Sequence, residues 1–223
     1  MESVALPAGV LTSANSLALD SSAFPAVFEA AFWPGTRARQ DSVAYAFTVA
    51  ELGNLGLRSG KVVAGDPIAL VAKAAFTQQF PRGEFPMQLA LARTATDERV
   101  ALARVLFSRH RVVRWQLALL PGQLPLALTD ERVHCYGVDS GLGVFADSTC
   151  IRQLQLSKPA AWDSIFSRSF RQPGFQGYIY RSGQGNLATF TTGYGDGCYA
   201  TYCGFDAAGN VCRLLTDFGH IVW

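Results

Sequence analysis

Tyr199-Ala200-Thr201-Tyr202-Cys203-Gly204-Phe205-Asp206-Ala207-Ala208-Gly209-Asn210-Val211-Cys212-Arg213-Leu214-Leu215-Thr216 reads as two strands around a turn. Aromatic and β-branched side chains suit the arms. Asp206, Gly209 and Asn210 supply the turn chemistry between them. Just upstream, Gly193-Tyr194-Gly195-Asp196-Gly197 sets a lone carboxylate between glycines and beside tyrosines. Glycine tolerates positive φ and close backbone approach, so this loop reads as a place where something else comes near. Downstream, Thr216-Asp217-Phe218 ends the second arm with another acid.

The same strand and turn rhythm runs back through the chain. Val43–Val49 is rich in β-forming residues, and Leu57–Val63 reads as strand, turn, strand around Ser59-Gly60. Gly65-Asp66-Pro67 stops that run, and Phe80-Pro81-Arg82-Gly83-Glu84-Phe85-Pro86 is a second turn block. Met87–Arg93, Val100–Phe107, Val113–Leu119 and Val133–Val138 follow as strands, as do Tyr178–Tyr180 and Leu187–Thr191. One helix is predicted over Ala160–Arg171, with Ala161, Trp162, Ile165, Phe166 and Phe170 at helical spacing and Pro173-Gly174 after it. The fold class expected is mainly β, with α+β character: an antiparallel sandwich or open barrel carrying a few short helices. Residues 1–50 read as a helical or extended N-terminal arm packed on the body, and residues 51–223 as a single β-rich domain.

Composition narrows the function. The 223 residues are 49% hydrophobic and only 16% charged, with a net charge of +2. The average charged fraction is about 25%, so a partner-covered face or a large core is implied. So small a charge gives no footprint for nucleic acid. The longest apolar runs, such as Leu117–Leu120, fall far short of the roughly 20 residues of a membrane span. The chain opens Met1-Glu2-Ser3-Val4, without a basic leader. Five cysteines show no CxxC and no zinc-finger spacing, so reduced thiols in a cytoplasmic protein are expected.

Five turn blocks occur in a fixed order: Gly65-Asp66-Pro67, Pro81–Pro86, Val138-Asp139-Ser140-Gly141, Gly193–Gly197 and Thr216-Asp217-Phe218. Taken together they resemble a widespread, mainly bacterial family known only as domain of unknown function 4241. The resemblance covers about residues 55–218 and leaves residues 1–50 outside. It implies that these Asp/Gly turns belong together, and it brings no catalytic assignment.

The candidate cleft follows from the acids at strand ends: Asp66, Glu84, Asp139, Asp196 and Asp217, with Ser140, Tyr194, Tyr199 and His220 beside them. Asp147 belongs to the same acid set. Converging carboxylates would suit Mg²⁺ or Ca²⁺, or an acid/base pair. The competing reading is that each Asp caps its own turn. Ser140 lacks the GxSxG elbow, and Gly137–Gly143 lacks the Lys of a phosphate loop. Ser182-Gly183-Gln184-Gly185-Asn186 could cradle an anion on backbone N–H groups, or simply turn. The cluster Arg109–Arg114 reads as a solvated hairpin tip, and Cys198 as a minor reactive-thiol candidate. The expectation is a protein-binding module without cofactor or metal, such as an immunity protein that neutralises a toxin or effector. The alternative is an enzyme or ligand-binding domain with an Asp/Gly-lined cleft, such as a metal-assisted hydrolase.

Overall fold

Alternating burial along the strands separates two sheets and three cores. The computed structural model describes residues 11–12, 28–128, 130, 133–156, 160–171, 174–183 and 185–220. The large sheet holds β1 (Leu11–Thr12), β2 (Arg37–Gln40), β3 (Val43–Leu57), β5 (Gly83–Arg93), β6 (Glu98–Leu106), β7 (Arg114–Leu117), β8 (Cys135–Val138), β12 (Gly197–Phe205) and β13 (Val211–Asp217). Its order is β1-β2-β3-β5-β6-β13-β12-β7, with β8 pairing β12 beside β7. The small sheet holds β4 (Val62–Gly65), β9 (Leu142–Asp147), β10 (Gly177–Ser182) and β11 (Gly185–Thr191), ordered β10-β11-β9-β4. Among the described residues, every pairing apart from the short parallel β1–β2 pair is antiparallel. The sheets curl into a half-barrel.

The main core lies between the sheets. Leu55, Leu57, Met87, Leu89, Val105, Tyr199 and Leu214 of the large sheet meet Val62, Phe145, Ala188 and Phe190 of the small one. Alternate residues of the small sheet, Val63, Val144, Ala146 and Leu187, face outward. There α1 (Ser148–Leu156) and α2 (Ala160–Arg171) cover them with Cys150, Ile151 and Ile165. The hairpin β12–β13 and the helix at Ala160–Arg171 match the sequence reading. Strand β9 and helix α1 were not foreseen, because Leu142–Asp147 is buried throughout and carries no alternation.

Strand β3 runs unbroken from Val43 to Leu57, so the expected boundary at residue 50 falls inside a strand. A bulge explains how one strand serves two cores. Glu51 pairs with Gln88 and Gly53 with Met87, leaving Leu52 as an extra residue. One extra residue reverses which face odd-numbered side chains occupy. Tyr45 and Phe47 therefore face the outer core, and Leu55 and Leu57 the inner one. Gly53 takes φ +108° at the bulge, where a side chain is strained.

The outer core is closed by residues 28–36, which precede β2. Phe28, Ala31 and Phe32 pack on Ala90, Leu102, Trp115 and Leu215. Phe28 meets Trp115 edge-on at 5.1 Å between ring centroids. Glu29 pins this segment by bridging two arginines of the sheet. Its carboxylate lies 3.0 Å from Nη1 of Arg104 on β6 and 3.0 Å from Nη2 of Arg213 on β13. Arg104 also donates to Gln88 at 2.7 Å and lies 3.7 Å over the Phe32 ring. Burial pulls the Arg104 guanidinium down to about 10, against the pull of Glu29.

Candidate functional site

The sequence-predicted acids do not form one cluster. Asp66 is drawn inside, at 2% exposure. Its carboxylate accepts the N–H groups of Ile68 at 2.7 Å, Asp139 at 2.7 Å and Ser140 at 2.8 Å. It thus ties the end of β4 to the β8–β9 turn and is a structural cap. The Asp139 side chain is exposed, and Ser140 Oγ accepts the Leu142 N–H at 3.3 Å.

The Gly193–Gly197 loop lies against this turn, with the Thr192 N–H donating to the Gly141 carbonyl at 3.2 Å. The Tyr199 hydroxyl reaches the carbonyls of Thr192 at 3.0 Å and Gly195 at 2.8 Å from below. Burial raises its pKa, so it stays a neutral donor. A Cβ on Gly193 (φ +63°) would meet Phe218 Cβ at 3.2 Å and the Val100 carbonyl at 3.3 Å. Asp196 is exposed. Tyr194 is 65% exposed, stacked 4.6 Å from His220 and 4.9 Å from the Arg99 guanidinium. His220 is buried, and burial, with Arg99 nearby, holds its pKa below the usual value. Asp217 accepts the Gly219 N–H at 2.9 Å, and burial lifts its carboxyl to about 6. It shares no hydrogen bond with His220, so the two are not an acid/base couple. Among the described residues no group of three His, Cys, Asp or Glu could hold a metal ion.

Cys135 and Cys198 form a disulfide across β8 and β12, with Cα atoms 5.4 Å apart. This corrects the expectation of five reduced thiols and removes Cys198 as a reactive thiol. The ladder sets Cys198 opposite Gly137 and Cys135 opposite Ala200, so the two are diagonal neighbours. A sequence separation of 63 hides that proximity. Cys150, Cys203 and Cys212 are buried thiols.

Glu84 lies elsewhere, on a cleft of about 530 Å³ at one end of the half-barrel. Four walls converge there. The end of β3 gives Gly56, with Arg58 just beyond it, and the start of β5 gives Gly83 and Glu84. The β9–α1 junction gives Asp147, Thr149, Cys150 and Gln153. The β10–β11 hairpin gives Arg181, Gly183, Gly185 and Asn186. Asn186 clamps the hairpin to β3, accepting the Gly56 N–H at 2.7 Å and donating to the Asn54 carbonyl at 2.9 Å. A Cβ on Gly56 would come within 2.9 Å of Glu84 Oε1, and one on Gly185 within 3.2 Å of Cys150 Sγ.

Asp147 is the buried anchor of the cleft, at 1% exposure. One oxygen accepts the Ser59 N–H and hydroxyl, both at 2.8 Å. The other accepts the Thr149 N–H at 2.8 Å and the Thr149 hydroxyl, which caps α1. Burial alone would raise its pKa, but the bonds from Thr149 and Ser59 outweigh that and keep it ionised. Burial pushes the Cys150 thiol up to about 11, so it is protonated and a poor nucleophile at neutral pH. The cleft therefore has hydrogen-bonded walls and an exposed rim of Arg58, Arg181, Glu84 and Gln153. The sequence signal for it was partial: Asp147 stood among the acids, and 182–186 among the anion cradles.

No helix among the described residues is long and apolar enough to cross a membrane. No curated protein and no solved structure matches the chain. Residues 55–216 match the family described as "Protein of unknown function (DUF4241)", which takes in β3's end, the cleft and both Gly-rich turns. The chain belongs to the DUF4241 family.

Proposed function

We propose that this domain binds a small polar ligand in the cleft beside Glu84, Asp147 and Asn186. The carrying observation is the division of labour among the lining side chains. Asp147 and Asn186 spend their hydrogen bonds on the protein's own backbone and hydroxyls, which fixes the walls. Arg58, Arg181, Glu84 and Gln153 are exposed on the rim. Ligand sites are typically clefts of about 300–1,000 Å³ with a few placed polar groups, and this one falls in that range. The test is a thermal-shift screen against a metabolite collection. A ligand at a hundred times its Kd adds about 2.7 kcal/mol, or roughly 5–10 °C for a domain of this size. A hit whose shift vanishes in Arg181→Gln supports the reading. A hit unaffected by every rim substitution removes it.

One observation favours a second reading, recognition of a protein partner such as a toxin or effector. Tyr194 projects from the Gly-rich loop and is braced by Arg99 and His220. Tyr and Arg dominate interface hot spots. Under this reading Tyr194→Ala abolishes co-purification of a specific partner and leaves ligand-induced shifts intact. Retained co-purification counts against it.

A further inference from the structure

We infer that the ligand of the cleft is bipolar, with an anionic group, carboxylate or phosphate, at Arg181 and Arg58 and an ammonium or hydroxyl donor at Glu84. The inference rests on reading the cleft as the ligand site. Glu84 and Arg181 line the same cavity from different walls, one on β5 and one on the β10–β11 hairpin. Neither side chain forms a hydrogen bond or ion pair with any described residue, and the two do not pair with each other. Asn186 fixes the hairpin that carries Arg181, and Asp147 fixes the neighbouring β9–α1 wall. The other buried polar groups of the lining are consumed internally, so recognition falls to the charged rim.

That rim selects against uniform charge. A polyanion would meet Glu84, and a cation would meet two arginines; each mismatch is a repulsive element of specificity. A neutral ligand would leave the Glu84 and Arg181 side chains without partners. A ligand with an anion at one end and a donor at the other complements both walls. The guanidinium fork suits carboxylate and phosphate oxygens. Gly183, with nothing near its missing side chain, leaves the backbone beside Arg181 open to such a group.

Four probes on one sugar ring separate the two ends: glucosamine 6-phosphate, glucose 6-phosphate, glucosamine and glucose. Binding is read by amide NMR shifts of Gly56, Gly183 and Gly185 on the full chain. Glucosamine 6-phosphate is expected to bind tightest and glucose weakest. Each charged end should contribute about two- to fivefold in Kd, allowing for solvent screening at an open rim. Arg181→Gln should erase the preference for phosphate only, and Glu84→Gln the preference for ammonium only. Glucose binding as tightly as the charged probes overturns the bipolar inference while leaving the cleft as a ligand site. Loss of both preferences in one variant overturns the division into two ends. Failure of all four probes to move these amides overturns the inference, and the charge-blind metabolite screen then decides the parent reading separately.

Discussion

Replacing Glu29 by Gln keeps the shape of the side chain that pins residues 28–36 to the sheet and removes its charge. In the wild type, one carboxylate serves Arg104 and Arg213, both nearly buried. Breaking a buried ion pair by removing one partner costs about 3–5 kcal/mol, because a buried charge is left uncompensated. Two features place this case at the low end. Arg213 keeps the carbonyls of Ser108, Cys212 and His110, and Arg104 keeps Gln88 and the Phe32 ring. A ceiling also exists. If the arm undocks, the arginines regain water and the loss stops at the arm's docking energy. Burial of Phe28 and Phe32 sets much of that, at about 1.5–3 kcal/mol each. The expected loss is therefore about 3 kcal/mol, or roughly 6–12 °C in Tm. Urea unfolding followed by tryptophan fluorescence reads it, since Trp115 packs directly on Phe28. The triple variant Glu29→Met, Arg104→Met, Arg213→Met should recover most of the loss, as apolar replacement of buried ion triads does. A Glu29→Gln change below about 0.5 kcal/mol, the range of ordinary surface substitutions, would refute the pin.

Asp66→Ala should cost about 3 kcal/mol in urea unfolding, because three backbone N–H groups lose a charged acceptor; a surface-like value would show that the turn does not depend on it. Alkylation of the unfolded chain without reductant should label only Cys150, Cys203 and Cys212; labelling of all five contradicts the cross-strand bond. Cys135→Ser should cost about 4 kcal/mol in the chain-entropy view of a 63-residue separation. Asp217, lifted to about 6, holds its proton to higher pH folded than unfolded. Its contribution to stability therefore falls as pH rises from about 4 to about 6 and is level above that. Asp217→Asn should remove that decline and stabilise the neutral-pH protein by on the order of 1–2 kcal/mol; parallel pH profiles of the two proteins would contradict this.

The β12–β13 hairpin was legible because its signals are local: alternation in the arms and turn residues between them. The helix at Ala160–Arg171 was legible for the same reason. Strand β9 was not, because a strand buried on both faces has no alternation to read. The change of face along β3 depends on a single bulge at Leu52, and no residue pattern announces it. Asp66 illustrates a deeper limit. Its place between Gly65 and Pro67 correctly marks a turn, but its three bonds reach residues 139 and 140 as well as its own turn. Long-range bonds turned a candidate ligand for metal into a tie between strands. The cleft was hidden for a related reason. Its walls come from four stretches spread over residues 56–186, and its anchors Asp147 and Asn186 act through partners 88 and 130 positions away.

The cleft and the Gly-rich loop are both glycine-lined, so glycine amides distinguish them in one spectrum. Titrating the ¹⁵N-labelled full chain with the small-molecule fraction of a cell extract tests which is the site. Saturable shifts at Gly56, Gly83, Gly183 and Gly185, reduced in Arg181→Gln, are the predicted result. Shifts confined to Gly193, Gly195 and Gly197, with the cleft amides unmoved, would contradict the account.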